Sequence, residues 1–197
     1  MSTSMRVKNW RLWALRRVFS KYFIFPCWVN LESGAKIWLG SDMIDDLILE
    51  DIVGRFEKLY FPEEFEYKKD QNFVIFDIGA HHGIYSVEAL SRYPHAQIIS
   101  VEPVAKSIIF LKKNLRANKL LHRARIVEGG IGVEDGWAYV EHPTTGSWSD
   151  KTVEDAQNGG ERVNIFSLKT ALNGAIPTLV KCNAEGAEFT LFPQMFS

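Results

Sequence analysis

Residues 73–86 read FVIFDIGAHHGIYS and decide the fold. The first four are apolar and two of them are β-branched, which is typical of a buried strand, and Ile84, Tyr85 and Val87 then follow at near-helical spacing. Gly79 and Gly83 lie between the two patterns, where glycine permits the positive φ of a tight turn. The stretch predicts a strand, a glycine turn and a helix, and ligands of open parallel sheets bind at such turns.

A second apolar run, residues 97–101, ends at Glu102 and places a carboxylate at the tip of the next strand. The dinucleotide fingerprint G-x-G-x-x-G is not present, because Asp77 occupies the position before Gly79 where the first glycine would stand. Glu102 can accept both hydroxyls of a ribose, and Asp77 can pair with a cationic amino group. The two acids fit a nucleoside that carries an amino acid, such as S-adenosylmethionine, better than they fit NAD.

These motifs resemble those of class I methyltransferases, and more narrowly the FkbM family. The family turn D-x-G-A-x-x-G reads DIGAHHG here, its E-P pair is Glu102-Pro103, and its K-x-D-x-E-G-x-E block reads KCNAEGAE over residues 181–188. The resemblance implies a Rossmann-like α/β fold with a doubly wound, mainly parallel sheet, and an S-adenosylmethionine-dependent methyltransferase that modifies a hydroxyl of a sugar or another small molecule. The implied cofactor-binding residues are Asp77, Gly79, Ala80, Gly83, Glu102 and Gly130.

An alcohol acceptor would profit from a general base. The candidates are His81 and His82 in the glycine turn and Glu185 after the fourth parallel strand, with Asn183 beside it. Adjacent histidines are expected to point in different directions, so that at most one faces the site; the alternative is a loop histidine bonded to backbone. We expect no metal site, because the five histidines are scattered along the chain and no carboxylate cluster is evident.

The sequence departs from the family pattern in two places. Asn183 replaces an acid of the family block, and an amide cannot hold a proton or a cation as a carboxylate does. The chain also stops at Ser197, before the helix and the strands that ordinarily flank the fourth strand. These departures predict an incomplete C-terminus and an exposed sheet edge that could pair two copies. The alternative function is therefore a non-catalytic binding or assembly module of the same fold.

The 197 residues, 46% of them hydrophobic, suit a globular chain with one main domain. We divide it into a basic helical segment (1–35), a helix and connection (36–70) and the cofactor domain (71–197). Asp42, Asp45 and Asp46 are expected in the first turn of a helix over residues 43–59, where the helix dipole favours acids. The two cysteines have no C-x-x-C spacing, so a reducing, cytoplasmic compartment is expected.

The first 25 residues contain six cations and no acid. A helix over residues 5–25 is predicted, and it has two interpretations. The cations spread over nearly all sides, which favours a helix packed on the domain; a peripheral contact with an anionic membrane is the alternative. No nucleic-acid partner is expected, because the lysines of the predicted helix 104–120 form its solvated face.

Strands are also predicted at residues 36–39, 125–128, 137–141, 163–168 and 178–182. The last should lie beside the strand that contains Asp77, because that is the strand order of this sheet. Residues 143–160 are rich in Thr, Ser, Gly and Asp. They are expected to form either a mobile loop on the acceptor side or a plain hairpin excursion.

Overall fold

A four-stranded parallel sheet supports the rest of the chain in the computed structural model, which describes residues 6–41, 43–63, 65, 70–141, 151–153 and 160–183. Its strands are β3 (Val74–Ile78), β4 (Gln97–Glu102), β5 (Ala124–Glu128) and β10 (Leu179–Cys182), in the order β10-β3-β4-β5. Lys181 pairs with Asp77 across β10 and β3, and Asp77 pairs with Ser100 across β3 and β4. This order confirms the predicted α/β fold and the prediction that the strand at residues 178–182 lies beside the strand that contains Asp77.

Side chains of the sheet alternate between two buried faces, as the period of a strand requires. Ile75 and Ile98 pack on one face with α4 (Ile84–Arg92) and α5 (Ala105–Ala117). Phe76 and Ile99 pack on the other face with α6 (Leu168–Leu172). Helices therefore cover both faces of the parallel sheet, which is the doubly wound arrangement.

A second sheet of four strands follows β5. Its strands are β6 (Gly130–Gly132), β7 (Gly136–Glu141), β8 (Lys151–Val153) and β9 (Glu161–Ser167), in the order β6-β9-β7-β8. β6 runs parallel to β9, and the other two pairings are antiparallel. The strands predicted near residues 137–141 and 163–168 are confirmed as β7 and β9. Most of the predicted loop 143–160 lies outside the described residues.

The N-terminal part comprises α1 (Trp10–Phe19), a hairpin of β1 (Cys27–Asn30) and β2 (Lys36–Leu39), α2 (Ile44–Glu50) and α3 (Glu57–Tyr60). The helix predicted over residues 43–59 is interrupted by a π-helical turn, Asp51–Arg55, in which the Phe56 amide bonds to the Asp51 carbonyl. The helix predicted over residues 5–25 is shorter than expected. The Asn9 side chain bonds to Trp28 and Asn30 of β1, so the chain before α1 follows the hairpin.

A buried cation anchors α1. The Arg16 side chain is fully buried, its Nη2 lies 2.8 Å from Oδ2 of Asp46, and its Nη1 donates to the carbonyls of Phe25 and Gly40. Asp45 and Asp46 lie in the first turn of α2, as predicted. Both are in addition fully buried, with Asp46 paired to Arg16 and Asp45 to His82. Within the described residues, no helix combines the length and the apolar content needed to cross a membrane.

Candidate functional site

The glycine turn after β3 bends over the tip of β4. Gly79, His81 and Gly83 all have positive φ, at 73°, 49° and 77°. The amides of Gly79 and Ala80 both donate to the carbonyl of Val101, at 3.0 and 2.9 Å. The turn is therefore bound to the second strand by its own backbone, and α4 begins directly after Gly83.

Asp77 is fully buried beneath this turn. Its Oδ2 accepts a 2.6 Å hydrogen bond from the Ser86 hydroxyl, which lies 2.9 Å from that of Ser100. The ammonium of Lys181 lies 3.0 Å from Oδ1, although its hydrogen bonds go to the carbonyls of Gly79 and Ile78, at 2.7 and 3.3 Å. The cation opposite Asp77 is thus supplied by the chain itself. The sequence placed Lys181 in the family block but assigned it no role.

Glu102 is 5% exposed, and backbone amides hold its carboxylate in place. Oε2 accepts from the amide of His81 at 2.7 Å, and Oε1 accepts from that of Val104 at 3.0 Å. Burial raises the pKa of Glu102 above its ordinary value, the two amides and the charge of Lys181 oppose that shift, and the charge of Asp77 adds to it. The charges of Asp77 and Lys181 therefore both act on the carboxylate of Glu102.

Two imidazoles and a carboxylate meet beside the turn. Nδ1 of His82 lies 2.6 Å from Oδ1 of Asp45, and Nδ1 of His81 lies 3.8 Å from the same oxygen. The two rings stack with centroids 3.9 Å apart and planes at 21°. The expectation that the adjacent histidines diverge was wrong, because the positive φ of His81 turns the chain so that both rings lie side by side. The sequence did not place Asp45 with them.

Among the described residues, Asp45, His81 and His82 are a group whose ligand atoms lie close enough together to hold a metal ion, and the sequence did not indicate this group. The geometry nevertheless suits a shared proton better than a metal ion. Ligand atoms bound to one zinc ion at about 2.0–2.1 Å lie roughly 3.3 Å apart in a tetrahedral site, farther than the 2.6 Å separation of His82 and Asp45. In addition, one ion cannot lie in the planes of two stacked, nearly parallel rings.

Asn114 of α5 holds the turn from the side of β2. Its Nδ2 donates to the carbonyl of His82 at 2.8 Å, and its Oδ1 accepts from the amide of Trp38 at 2.7 Å. This clamp was not identified in the sequence. A single buried asparagine within a helical apolar pattern shows no signal of its backbone partners, which come from segments distant in the chain.

The remaining predicted residues lie at different places. Ala80 is buried in the turn. Gly130 lies in β6 opposite Ile165 of β9, in the second sheet. Asn183 is exposed at the end of β10, and its amide donates to the carbonyl of Ile78 at 3.0 Å. Glu185 lies outside the described residues, so its candidate role stays a prediction.

The environment of Asp45 predicts a pH dependence of stability. Burial raises the pKa of Asp45, but the hydrogen bond and charge of His82, the Gly40 amide and the charge of His81 together lower the pKa below its ordinary value of 3.8. Such a carboxylate stabilises the fold above its unfolded pKa, and this contribution is lost as the pH falls through its folded pKa. The Asp45→Asn variant should therefore be less stable than the wild type near neutral pH. The difference between their free energies of unfolding should become smaller below pH 3.8.

Urea unfolding across this pH range measures the difference, and Asp51→Asn is the matched control. Burial raises the pKa of Asp51 more than Arg55 lowers it, so the pKa of Asp51 lies above its ordinary value, whereas that of Asp45 lies below. The ionised Asp51 opposes folding at neutral pH. The stability of Asp51→Asn relative to the wild type should therefore be higher at neutral pH than at acid pH. The same trend in both variants would contradict the assignment of Asp45.

No protein-family model matches the chain, and no curated protein matches its sequence. Three solved structures align with part of it. The methyltransferase FkbM from Methylobacillus flagellatus is 15% identical, with 61% of this chain and 28% of that protein covered and a TM-score of 0.46. A SAM-dependent methyltransferase from Agrobacterium tumefaciens is 16% identical, with 53% of this chain and 32% of that protein covered and a TM-score of 0.38. An O-methyltransferase family protein from Burkholderia thailandensis is 15% identical, with 44% of this chain and 24% of that protein covered and a TM-score of 0.33. The aligned part spans about a third or less of each of these proteins.

Proposed function

We propose that the chain binds S-adenosylmethionine at the turn after β3 and transfers its methyl group to a hydroxyl of a sugar or another small molecule. The observation that carries the proposal is Glu102, a carboxylate buried at the tip of β4 and fixed by the amide of the turn residue His81. A buried, pre-oriented acid at the carboxyl end of a parallel strand lies where ligands of open α/β sheets bind.

The residues present fit the nucleoside part of this cofactor. Each oxygen of Glu102 accepts one backbone hydrogen bond and keeps capacity for a hydroxyl donor, so the carboxylate can bind both ribose hydroxyls. We do not assign Asp77 a direct contact with the amino group of the cofactor. It is fully buried and holds Lys181, whose ammonium in turn holds the carbonyl of Gly79, so we assign Asp77 and Lys181 to positioning of the turn.

S-adenosylmethionine, when bound, supplies a methyl group on a positively charged sulfur. The chain must align the acceptor with the methyl group, which is catalysis by proximity. A general base must remove the proton of the acceptor hydroxyl. His81 is the better placed of the two histidines, because its side chain is 29% exposed while that of His82 is 4% exposed. The carboxylate of Asp45 lies behind it, with Oδ1 3.8 Å from Nδ1 of His81.

Calorimetry with S-adenosylhomocysteine tests the binding step. We expect the wild type to bind and Glu102→Gln to bind at least about tenfold more weakly, a loss of roughly 1.4 kcal/mol or more. The matched control is Glu128→Gln, which changes the acid at the tip of the next strand, where the side chain is 56% exposed. A wild-type chain that unfolds cooperatively yet binds no S-adenosylhomocysteine would contradict the proposal.

A binding or assembly module without turnover is the second candidate, and Asn183 favours it because the family block has an acid at this position. The two functions differ in whether any acceptor is methylated. If the wild type and Asn183→Asp both bind S-adenosylhomocysteine but methylate no hydroxyl acceptor of a broad panel, the module is supported. Turnover that falls in His81→Gln, with cofactor binding retained, would instead support the enzyme.

A further inference from the structure

The N-terminal helix exposes its apolar side chains and buries a charged one. Six large hydrophobic residues of α1 and the turn after it are between 38% and 84% exposed: Leu12, Leu15, Val18, Phe19, Tyr22 and Phe23. We call them the α1 apolar surface. Arg16, in the middle of the same helix, is fully buried against Asp46. Of the two tryptophans of α1, Trp13 packs against the core, whereas Trp10 is 56% exposed.

These residues form one continuous stripe. Leu12, Leu15 and Phe19 are spaced three and four residues apart and lie on one side of the helix. The chain turns after Phe19, with the amides of Tyr22 and Phe23 bonded to its carbonyl, and the rings of Phe19 and Phe23 stack with centroids 6.0 Å apart. The stripe is therefore an exposed apolar ridge, and contiguous exposed apolar side chains of this kind mark an interaction surface.

The charge around the ridge indicates its partner. Arg11 and Lys21 are exposed beside the ridge, and the first acid of the sequence is Glu32. Of the six cations in the first 25 residues, Arg6, Arg16 and Arg17 pair with acids of other segments, so the electrostatic argument rests on Arg11 and Lys21. A second copy docked on this ridge would bring two sets of cations together, whereas an anionic surface is attracted to them. An exposed ridge of apolar and cationic side chains fits the interface of a lipid bilayer.

We propose that the α1 apolar surface docks on an anionic lipid membrane, with the helix lying along the interface and Arg11 and Lys21 directed at the lipid headgroups. The buried contact of Arg16 with Asp46 fixes the helix to the domain, so the ridge is presented to the membrane without unfolding. This inference does not depend on the proposed methyltransferase function.

Vesicle co-sedimentation of the full chain tests the proposal. We expect binding to vesicles of phosphatidylcholine mixed with phosphatidylserine, weaker binding to phosphatidylcholine alone, and a decrease with added salt. Leu15→Glu/Val18→Glu should weaken binding by about tenfold or more, because it places charge in the apolar ridge. The matched control is Leu59→Glu/Ile176→Glu, which alters two residues that are 77% and 87% exposed elsewhere on the surface and should leave binding unchanged.

A second pair of variants tests the charge. Arg11→Gln/Lys21→Gln should weaken binding to the phosphatidylserine vesicles several-fold. Lys106→Gln/Lys119→Gln, which removes one exposed lysine in the first turn of α5 and one just after its end, should not. Absence of binding by the wild type, or equal losses in the test and control pairs, would overturn the proposal. So would a dimer, measured by light scattering, that Leu15→Glu/Val18→Glu dissociates while vesicles bind neither protein.

Discussion

Replacing Arg16 with methionine should destabilise the fold by about 3–5 kcal/mol, since removal of one partner of a buried ion pair leaves the other uncompensated. The Arg16 guanidinium satisfies Asp46 and the carbonyls of Phe25 and Gly40 at a position with no solvent access. Methionine fills much of the volume but donates no hydrogen bond. Urea unfolding at neutral pH, monitored by tryptophan fluorescence, measures the loss.

The neighbouring arginine provides the control. Arg17 pairs with Glu50 at 2.5 Å, but the two side chains are 33% and 28% exposed, so Arg17→Met should cost about 1 kcal/mol or less. Arg16→Met/Asp46→Leu should recover part of the loss, because no charge is then left buried. If Arg16→Met and Arg17→Met cost the same, the buried pair does not anchor α1 as described.

The central sheet was predictable because its signals are local. The apolar run of β3 and the turn of Gly79 and Gly83 are read from adjacent residues, and the parallel order follows from strands that alternate with helices. The acid at the tip of β4 was found in the same way. Each of these inferences depends on spacing within one short stretch, where the period of a strand or a helix is explicit.

The clusters around the turn were not predictable, because their members come from segments far apart in the chain. Asp45 meets His82 across 37 residues, and Asn114 bonds to Trp38 across 76. Asp45 and Asp46 also satisfied a local rule, that acids suit the first turn of a helix, and this explanation concealed their buried partners. Arg16 was counted only as one of six cations spread around the N-terminal helix, since no residue next to it in sequence shows that it is enclosed.

Replacing Gly83 with alanine should destabilise the fold by roughly 3–5 kcal/mol, because strain and a clash add at this position. Gly83 has a φ of +77°, and a Cβ there would lie 2.4 Å from Cδ1 and 3.3 Å from Cα of Leu111 in α5. The leucine side chain can rotate away, but crowding against the Leu111 backbone can be relieved only by moving α4 away from α5. That movement would carry the turn and His81 with it, so binding of S-adenosylhomocysteine should weaken too.

Two other glycines separate the contributions. Gly174 has a φ of +80° and nothing within 4 Å of a Cβ, so Gly174→Ala should cost only the strain, about 1–2 kcal/mol. Gly136 has neither the positive φ nor a neighbour within 4 Å, and Gly136→Ala should change the free energy of unfolding by less than about 1 kcal/mol. The excess cost of Gly83→Ala over Gly174→Ala then measures the close approach of the two helices. An excess near zero would mean that α5 yields without cost, and that the tight packing of α4 against α5 does not position the turn.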